Sequence, residues 1–137
     1  MRILLDVIFV LGVCFGISSC FPFQPIYLRN LTSDTVYWDY VTANDTVKIS
    51  DFYPYNYPAH LLTLSPYVID DLGDLDFHEF EDYGEDYIIV FFFKKKTVEE
   101  YGEKYVIENN LYDKRCVVDA NGLKKMNYVI VYPYDRK

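Results

Sequence analysis

The spacing of apolar residues along this chain predicts a domain built mainly of strands. Residues 87–93 (YIIVFFF) are apolar without alternation, which is typical of a strand buried on both faces. Shorter β-branched and aromatic runs predict further strands, which we expect at residues 26–31, 35–41, 46–49, 61–68, 111–118 and 128–132. Because residues 32–34 are turn formers, we expect the first two of these strands to pair as a hairpin.

Two helices are predicted after the strongest strand. Thr97 and Glu100 have the spacing of a capping box, which predicts a helix from there to about Asn109. Gly102 should weaken that helix by ~1 kcal/mol relative to alanine. Asp119 or Asn121 caps a second short helix over residues 123–126. The order of elements indicates the α+β class, a strand-dominated, small sandwich-like sheet with one or two short helices in the C-terminal half.

The first twenty residues have the organisation of an export signal. Arg2 precedes an apolar run at 7–17, and small residues then lead to Cys20. Residues 17–20 resemble the bacterial lipobox, in which the cysteine receives the lipid. We therefore expect a lipoprotein signal peptide at 1–19, a lipidated tether at 20–25, a single α+β domain at 26–133 and a polar tail at 134–137. A soluble secreted protein is the alternative. A retained membrane span is disfavoured, because residues 3–19 fall short of the ~20 apolar residues required.

Charge and composition limit the classes of partner that we expect the protein to bind. The formal net charge is −8, and nucleic-acid binding needs a basic surface to replace phosphate counterions, so we expect no nucleic acid. The same charge disfavours attraction to anionic lipid, so membrane attachment should come from the lipid on Cys20. Aromatic residues make up 19% of the chain, which favours a packed domain over a disordered one.

The arrangement of the cysteines and the lack of known catalytic motifs predict a protein without catalytic activity. With Cys14 removed and Cys20 acylated, Cys116 is left alone and no disulfide framework exists. The soluble alternative would permit a Cys20–Cys116 bridge. Cys116 lies in an apolar strand and should be a buried, inert thiol, although pairing it with His60 or His78 would be the one nucleophile arrangement available. Phosphate-binding loops, GxSxG and dinucleotide glycine patterns do not occur, and we expect no cofactor and no metal.

Two segments are candidate contact surfaces. Tyr53, Tyr55 and Tyr57 alternate beside prolines and could stack on sugar rings, although packing beneath a bent loop is favoured. An acidic stretch follows, in which like charges predict a solvated loop. This stretch could dock a basic partner; its spacing does not fit a calcium-binding EF-hand. Its candidate docking residues are Asp70, Asp71, Asp74, Asp76, Glu79, Glu81 and Asp82.

Two Asn-x-Thr sequons start at Asn30 and Asn44, and they would be acceptors for N-glycans in a eukaryotic or viral secreted protein.

Three parts of the chain together resemble small lipoproteins of the Bacteroidota, a family of unknown biochemical role. They are the Ser18-Ser19-Cys20 end of the signal, residues 30–37, and the C-terminal stretch marked by Phe91, residues 97–102, 123–128 and Tyr132-Pro133. The sequence departs from the family pattern at Lys96, where an acidic residue is usual, and at Glu103, where an aromatic is common. Residues 51–86 do not match it.

The resemblance implies a location and a modification. It implies an exported cell-envelope lipoprotein that is held to the membrane by its lipid anchor. Separately, we expect an envelope protein or a glycan as its partner. Because residues 21–25 lack the acidic residues that often follow the cysteine in surface-exposed members, it favours an outer-membrane protein that faces the periplasm. Asp34-Thr35-Val36 and Asp45-Thr46-Val47 fit the O-glycosylation pattern of that phylum at Thr35 and Thr46.

Overall fold

The computed structural model describes residues 22–53, 60–82 and 87–133. The predicted signal peptide, most of the Tyr-Pro segment and the predicted polar tail lie outside these residues. The strands are β1 (Pro25–Asn30), β2 (Val36–Ala43), β3 (Leu62–Leu64), β4 (Ile69–Asp76), β5 (Tyr87–Lys94), β6 (Lys114–Val118) and β7 (Val129–Tyr132). The helices are α1 (Phe77–Asp82), α2 (Lys95–Tyr101), α3 (Glu103–Glu108) and α4 (Ala120–Lys125), with a 3₁₀ turn at Ile49–Asp51.

The strands form two sheets. The three-stranded sheet has the order β4-β1-β7, in which β1 is antiparallel to β4 and parallel to β7. The four-stranded sheet has the order β3-β2-β5-β6 and is antiparallel throughout. The architecture is strand-dominated α+β, with two facing sheets and short helices. It confirms the predicted fold class.

Strand β5 is the centre of the molecule and confirms the prediction of burial on both faces. Its six residues from Ile88 to Phe93 are completely buried. Ile88, Val90 and Phe92 enter the core between the two sheets. Ile89, Phe91 and Phe93 enter a second core, which α2, α3 and the 3₁₀ turn cover. The run lacks alternation because each face of this strand has an apolar layer against it.

The predicted β1–β2 hairpin is wrong. Strand β1 pairs with β4 and β7, whereas β2 pairs with β3 and β5 in the other sheet. Both strands carry an apolar face, with Leu28 on β1 and Trp38 on β2 fully buried in the same core. Placing the strands in opposed sheets buries these faces against each other, which pairing them side by side would not do.

The local predictions around the helices need three corrections. Residues 46–49 do not form a strand, because an Asx turn at Asn44 leads into the 3₁₀ turn. The capping box at Thr97 is not used: α2 begins at Lys95, and its N-cap residue, Lys94, makes no side-chain capping bond. The single helix predicted up to Asn109 is two helices, because Gly102 has φ 82° and ψ 152° and interrupts it. Asp119 caps α4, where its Oδ1 accepts from the Gly122 amide at 2.6 Å.

The acidic stretch is not a solvated loop up to Asp82, and that prediction is wrong. It forms β4 and α1, because apolar residues are interspersed among the carboxylates: Leu72, Phe77 and Phe80 are all buried. Asp76 begins the helix locally, since its Oδ1 accepts from the amides of His78 at 3.2 Å and Gln24 at 3.0 Å. Burial of one face therefore outweighs the repulsion among charges that remain on the other.

Candidate functional site

A polar groove lies at one end of the sandwich. Its volume is about 850 Å³, within the ~300–1,000 Å³ typical of ligand sites. One wall is the turn between β1 and β2, and the other is the junction of β5 with α2. The lining residues are Thr32, Ser33, Asp34, Thr35, Val36, Pro66, Lys94, Lys95, Lys96, Glu99 and Tyr132. We call this feature the lysine groove.

Strand register brings these walls together. Val36 at the start of β2 is opposite Lys94 at the end of β5. In the other sheet, Asn30 at the end of β1 is opposite Tyr132 at the end of β7. The Leu31 amide extends that pairing by donating to the Tyr132 carbonyl at 2.9 Å. The lysine groove therefore lies where both sheets end.

Asn30 fixes the turn that forms one wall. It is completely buried, and its Nδ2 donates to the carbonyls of Asp34 at 2.7 Å and of Leu64 and Ser65, both at 3.2 Å. Its Oδ1 accepts from the Thr32 amide and hydroxyl, at 2.9 and 2.8 Å. This residue is consequently a structural link between β1 and the end of β3. Because its amide nitrogen is enclosed and committed, the sequon at Asn30 is not an acceptor in the folded protein.

Two residues that line the groove, Lys94 and Tyr132, are both bonded to Asp113 behind it. Asp113 accepts from the Tyr132 hydroxyl at 2.7 Å and from Lys94 Nζ at 2.9 Å. Burial acts to raise the pKa of the Asp113 carboxyl, but the hydrogen bonds from Lys94 and Tyr132 outweigh it and hold that pKa below its usual range. Burial, followed by the bond to Asp113, raises the pKa of Tyr132. The tyrosine is therefore a neutral donor and Asp113 an ionised acceptor at neutral pH.

The three lysines of the groove differ in whether a carboxylate neutralises their charge. Lys94 pairs with Asp113, and Lys95 Nζ lies 3.5 Å from Glu99 Oε1. Lys96 is exposed and makes no ion pair within the described ranges. In sequence, the three lysines appear only as charges that keep the strongly apolar strand β5 from self-association. Their proximity to the hydroxyls of residues 32–35 depends on the fold, and no local signal reveals it.

A second polar cluster lies on the face of the four-stranded sheet that is turned away from the three-stranded sheet. Tyr53 donates a hydrogen bond to Asp39 Oδ2, and the Tyr40 amide donates to Asp39 Oδ1 at 2.8 Å. Burial raises the pKa of Asp39 despite both hydrogen bonds. Burial and the bond to Asp39 also raise the pKa of Tyr53. Glu103 lies near this pair, where its Oε2 accepts from the Leu61 amide at 3.0 Å.

The sequence-predicted contact residues do not come together in one site. Cys20, Tyr55 and Tyr57 lie outside the described residues. Tyr53 is half-buried against the core beneath α2 and α3 and hydrogen-bonded to Asp39, so its hydroxyl is committed. The acidic residues divide between two elements: Asp70, Asp71, Asp74 and Asp76 lie in β4, and Glu79, Glu81 and Asp82 lie in α1.

The proposed O-glycosylation positions differ in accessibility. Thr35 is half-buried and lines the lysine groove. Thr46 is exposed, and its amide and hydroxyl donate to Asn44 Oδ1 at 3.1 and 2.5 Å.

Cys116 lies in the core between the sheets and is completely buried. Burial at this position supports an inert thiol rather than a nucleophile. The Cys20–Cys116 bridge of the soluble alternative involves Cys20, which lies outside the described residues. Within residues 22–53, 60–82 and 87–133, His, Cys, Asp and Glu side chains form no group of three or more suited to a metal ion. None of the helices in the described part of the chain is long and apolar enough to cross a membrane.

Fold and site together define a small α+β domain of two facing sheets with a lysine- and hydroxyl-lined groove at one end. Comparisons with protein-family models, with curated proteins and with solved structures give no match.

Proposed function

We propose that the protein is a non-catalytic lipoprotein of the cell envelope, anchored through an acylated Cys20, whose domain acts as an accessory that binds a partner. The observation that carries this proposal is the placement of the lysine groove relative to the anchor. In sequence, only four residues separate Cys20 from the start of β1 at Pro25. The groove lies at the other end of the same strand.

Strand β1 sets the distance between these ends. The first and last Cα atoms of its six residues are about 17 Å apart, because five steps of ~3.3 Å separate them. The amide of Gln24 binds Asp76, and the Gln24 carbonyl accepts from the Phe77 amide at 3.0 Å. Because these bonds hold the chain from Gln24 onward, the tether between Cys20 and the domain would be very short. An anchored domain would therefore present its β1 start to the membrane and the lysine groove away from it.

The end of the domain that would face the membrane carries an exposed aromatic side chain. Phe23 is 58% exposed, and an aromatic side chain beside a lipid anchor can enter the interfacial region of a bilayer. The bulk charge of −8 opposes close contact of the rest of the domain with anionic lipid. This distribution supports a domain that stands on its tether with its opposite end free for a partner.

Intact mass spectrometry with N-terminal sequencing tests the proposal. The full chain is expressed with its signal in a diderm bacterium and extracted from membranes in detergent. We expect a diacyl or triacyl mass on a chain that begins at Cys20, and we expect Cys20→Ser to abolish both the acyl mass and membrane retention. An unmodified chain in the soluble fraction, with its N-terminus at Ser19 or Phe21, would overturn the anchor. The alternative would then be a secreted glycan- or protein-binding module.

A further inference from the structure

We propose that the lysine groove binds a short acidic saccharide, with Lys96 contacting its carboxylate or sulfate group. This inference deepens the proposed function and rests on its assignment of the groove as the partner-binding end. Four observations carry it: the lysine without an ion-pair partner, the uncommitted hydroxyls, the carboxylates beside them, and the size of the cavity with its fixed turn.

The groove contains a lysine that no carboxylate neutralises, although the protein as a whole is acidic. Lys94 pairs with Asp113 and Lys95 pairs with Glu99, whereas Lys96 makes no ion pair within the described ranges. The chain as a whole carries a net charge of −8. Protection of β5 from self-association requires only that the lysines be exposed. It does not require a hydroxyl-lined wall opposite them.

The opposite wall supplies polar groups that are not used by the fold. The Thr32 hydroxyl is committed, because it donates to Asn30 Oδ1 at 2.8 Å. Ser33 and Thr35 also line the groove, and their hydroxyls make no hydrogen bond to any described residue. Each such hydroxyl offers both a donor and an acceptor to a ligand.

The carboxylates determine which anionic ligand fits. Asp34 and Glu99 accept hydrogen bonds from hydroxyl groups but repel a bare phosphate or a polyphosphate backbone. A ligand that carries several hydroxyls and one acidic group satisfies both sets of groups. The net charge of the protein adds a long-range repulsion that disfavours long polyanions, so the ligand should be short.

The shape of the groove agrees with this chemistry. A volume of about 850 Å³ is far larger than one inorganic anion needs and accommodates a few sugar rings. Val36 and Pro66 supply apolar surface against which the C–H face of a pyranose can pack. The turn that forms one wall is held in place without a ligand, since the buried Asn30 amide donates to the Asp34 carbonyl. Such preorganisation lowers the entropy lost on binding.

Calorimetric titration of the full chain, extracted from membranes in detergent, tests the inference. The probes are tetragalacturonate and a chondroitin sulfate tetrasaccharide, with neutral maltotetraose and inorganic phosphate as comparisons. We expect at least one acidic tetrasaccharide to bind and the two comparisons not to bind over the same concentration range. Lys96→Gln should weaken binding about two- to fivefold, the loss of roughly one solvent-exposed charge contact. Ser33→Ala should also weaken it.

The matched control is Lys125→Gln, which removes an exposed lysine that does not line the groove and should bind as the unaltered protein does. Thermal unfolding of every variant separates lost binding from lost folding. Absence of binding by both acidic tetrasaccharides overturns the inference, as does equal binding of maltotetraose or phosphate, or equal affinities of the two lysine variants. The mass of the same sample reports separately on acylation of Cys20. If an acylated protein binds none of the probes, the anchor proposal stands and the saccharide site is overturned. If an unacylated protein binds an acidic probe, only the saccharide site stands.

Discussion

The side-chain amide of Asn30 donates a hydrogen bond to the main-chain carbonyl of Leu64 over 3.2 Å and so joins the two sheets. Asn30 ends β1 in the three-stranded sheet, and Leu64 ends β3 in the four-stranded sheet. The same side chain also holds the turn at residues 31–35, through the Asp34 carbonyl and Thr32. One buried amide therefore links the sandwich and shapes a wall of the lysine groove.

Replacing Asn30 by alanine should destabilise the protein substantially. The substitution removes the donor to three carbonyls, of which the Leu64 carbonyl is bonded in a buried position, and we expect a cost of about 1–3 kcal/mol of the free energy of unfolding. Urea unfolding followed by circular dichroism measures this. Asn44→Ala is the matched control, because Asn44 makes the same kind of turn with Thr46 but is exposed; we expect it to cost less than ~0.5 kcal/mol. Equal losses in the two variants would contradict the role of Asn30.

Asp39 should make the stability of the protein fall as pH rises. Burial raises the pKa of its folded-state carboxyl above the unfolded value of about 4, so the folded state holds this proton more tightly. Stability from this group is greatest below about pH 4 and is lost as pH increases through the raised folded pKa. Asp39→Asn removes this dependence. We expect its free energy of unfolding, measured relative to the unaltered protein, to increase from pH 4 upward and then level off.

The substitution Tyr53→Phe tests the hydrogen bond between Tyr53 and Asp39 by changing its donor. It removes the hydrogen bond that lowers the Asp39 pKa, so that pKa should rise further and the pH dependence should extend to higher pH. The expected cost at neutral pH is about 1–2 kcal/mol, the loss of one charge-assisted hydrogen bond in a half-buried site. Parallel pH profiles for the unaltered protein and Asp39→Asn would show that ionisation of Asp39 carries no such penalty.

Asp113 should have the opposite pH dependence. The bonds from Lys94 and Tyr132 hold its folded-state pKa below the unfolded value of about 4, so its contribution is present above pH 4 and is lost as pH falls through the lower folded pKa. Asp113→Asn should cost about 0.5–1 kcal/mol at neutral pH, a modest value because Lys94 is largely exposed. Denaturant unfolding at several pH values should show the gap between the two proteins closing in acid. A gap that stays constant to pH 2.5 would contradict this.

Gly102→Ala should destabilise the junction of α2 and α3. At φ 82° and ψ 152°, the backbone lies in a region that residues with a Cβ avoid, at a cost of about 1–3 kcal/mol. Apart from Gly102 and its two chain neighbours, no atom of the described residues lies within 4 Å of the position of an added Cβ, so the effect should come from the backbone. Lys104→Ala is the control in the same helix pair; it loses only the exposed Glu108 pair and should cost less than ~0.5 kcal/mol. Thermal unfolding compares the two, and similar losses would argue against backbone strain.

Several elements could be predicted because their signals are local. The uninterrupted apolar run of β5 indicated burial on both faces, and Asp119 marked the start of α4 through its own capping bond. The helix after β5 is also evident from the sequence, but there Gly102 indicates only a small loss of helix propensity and not the division into two helices. The cost of glycine in a helix depends on whether the backbone leaves the helical region, which neighbouring sequence alone does not determine.

The sequence by itself determined the strand-dominated α+β class, the central position of β5 and the excess of negative charge, because each follows from the periodicity or count of residues. Only the tertiary structure decided that β1 and β2 lie in different sheets, since which strands pair depends on contacts between residues far apart along the chain. It likewise decided that the acidic stretch is a strand and a helix, because burying Leu72 and Phe77 needs surfaces from other elements. The lysine groove belongs to the same category: Lys94–Lys96 and the hydroxyls of residues 32–35 are some sixty positions apart in the chain, and only strand register places them on facing walls.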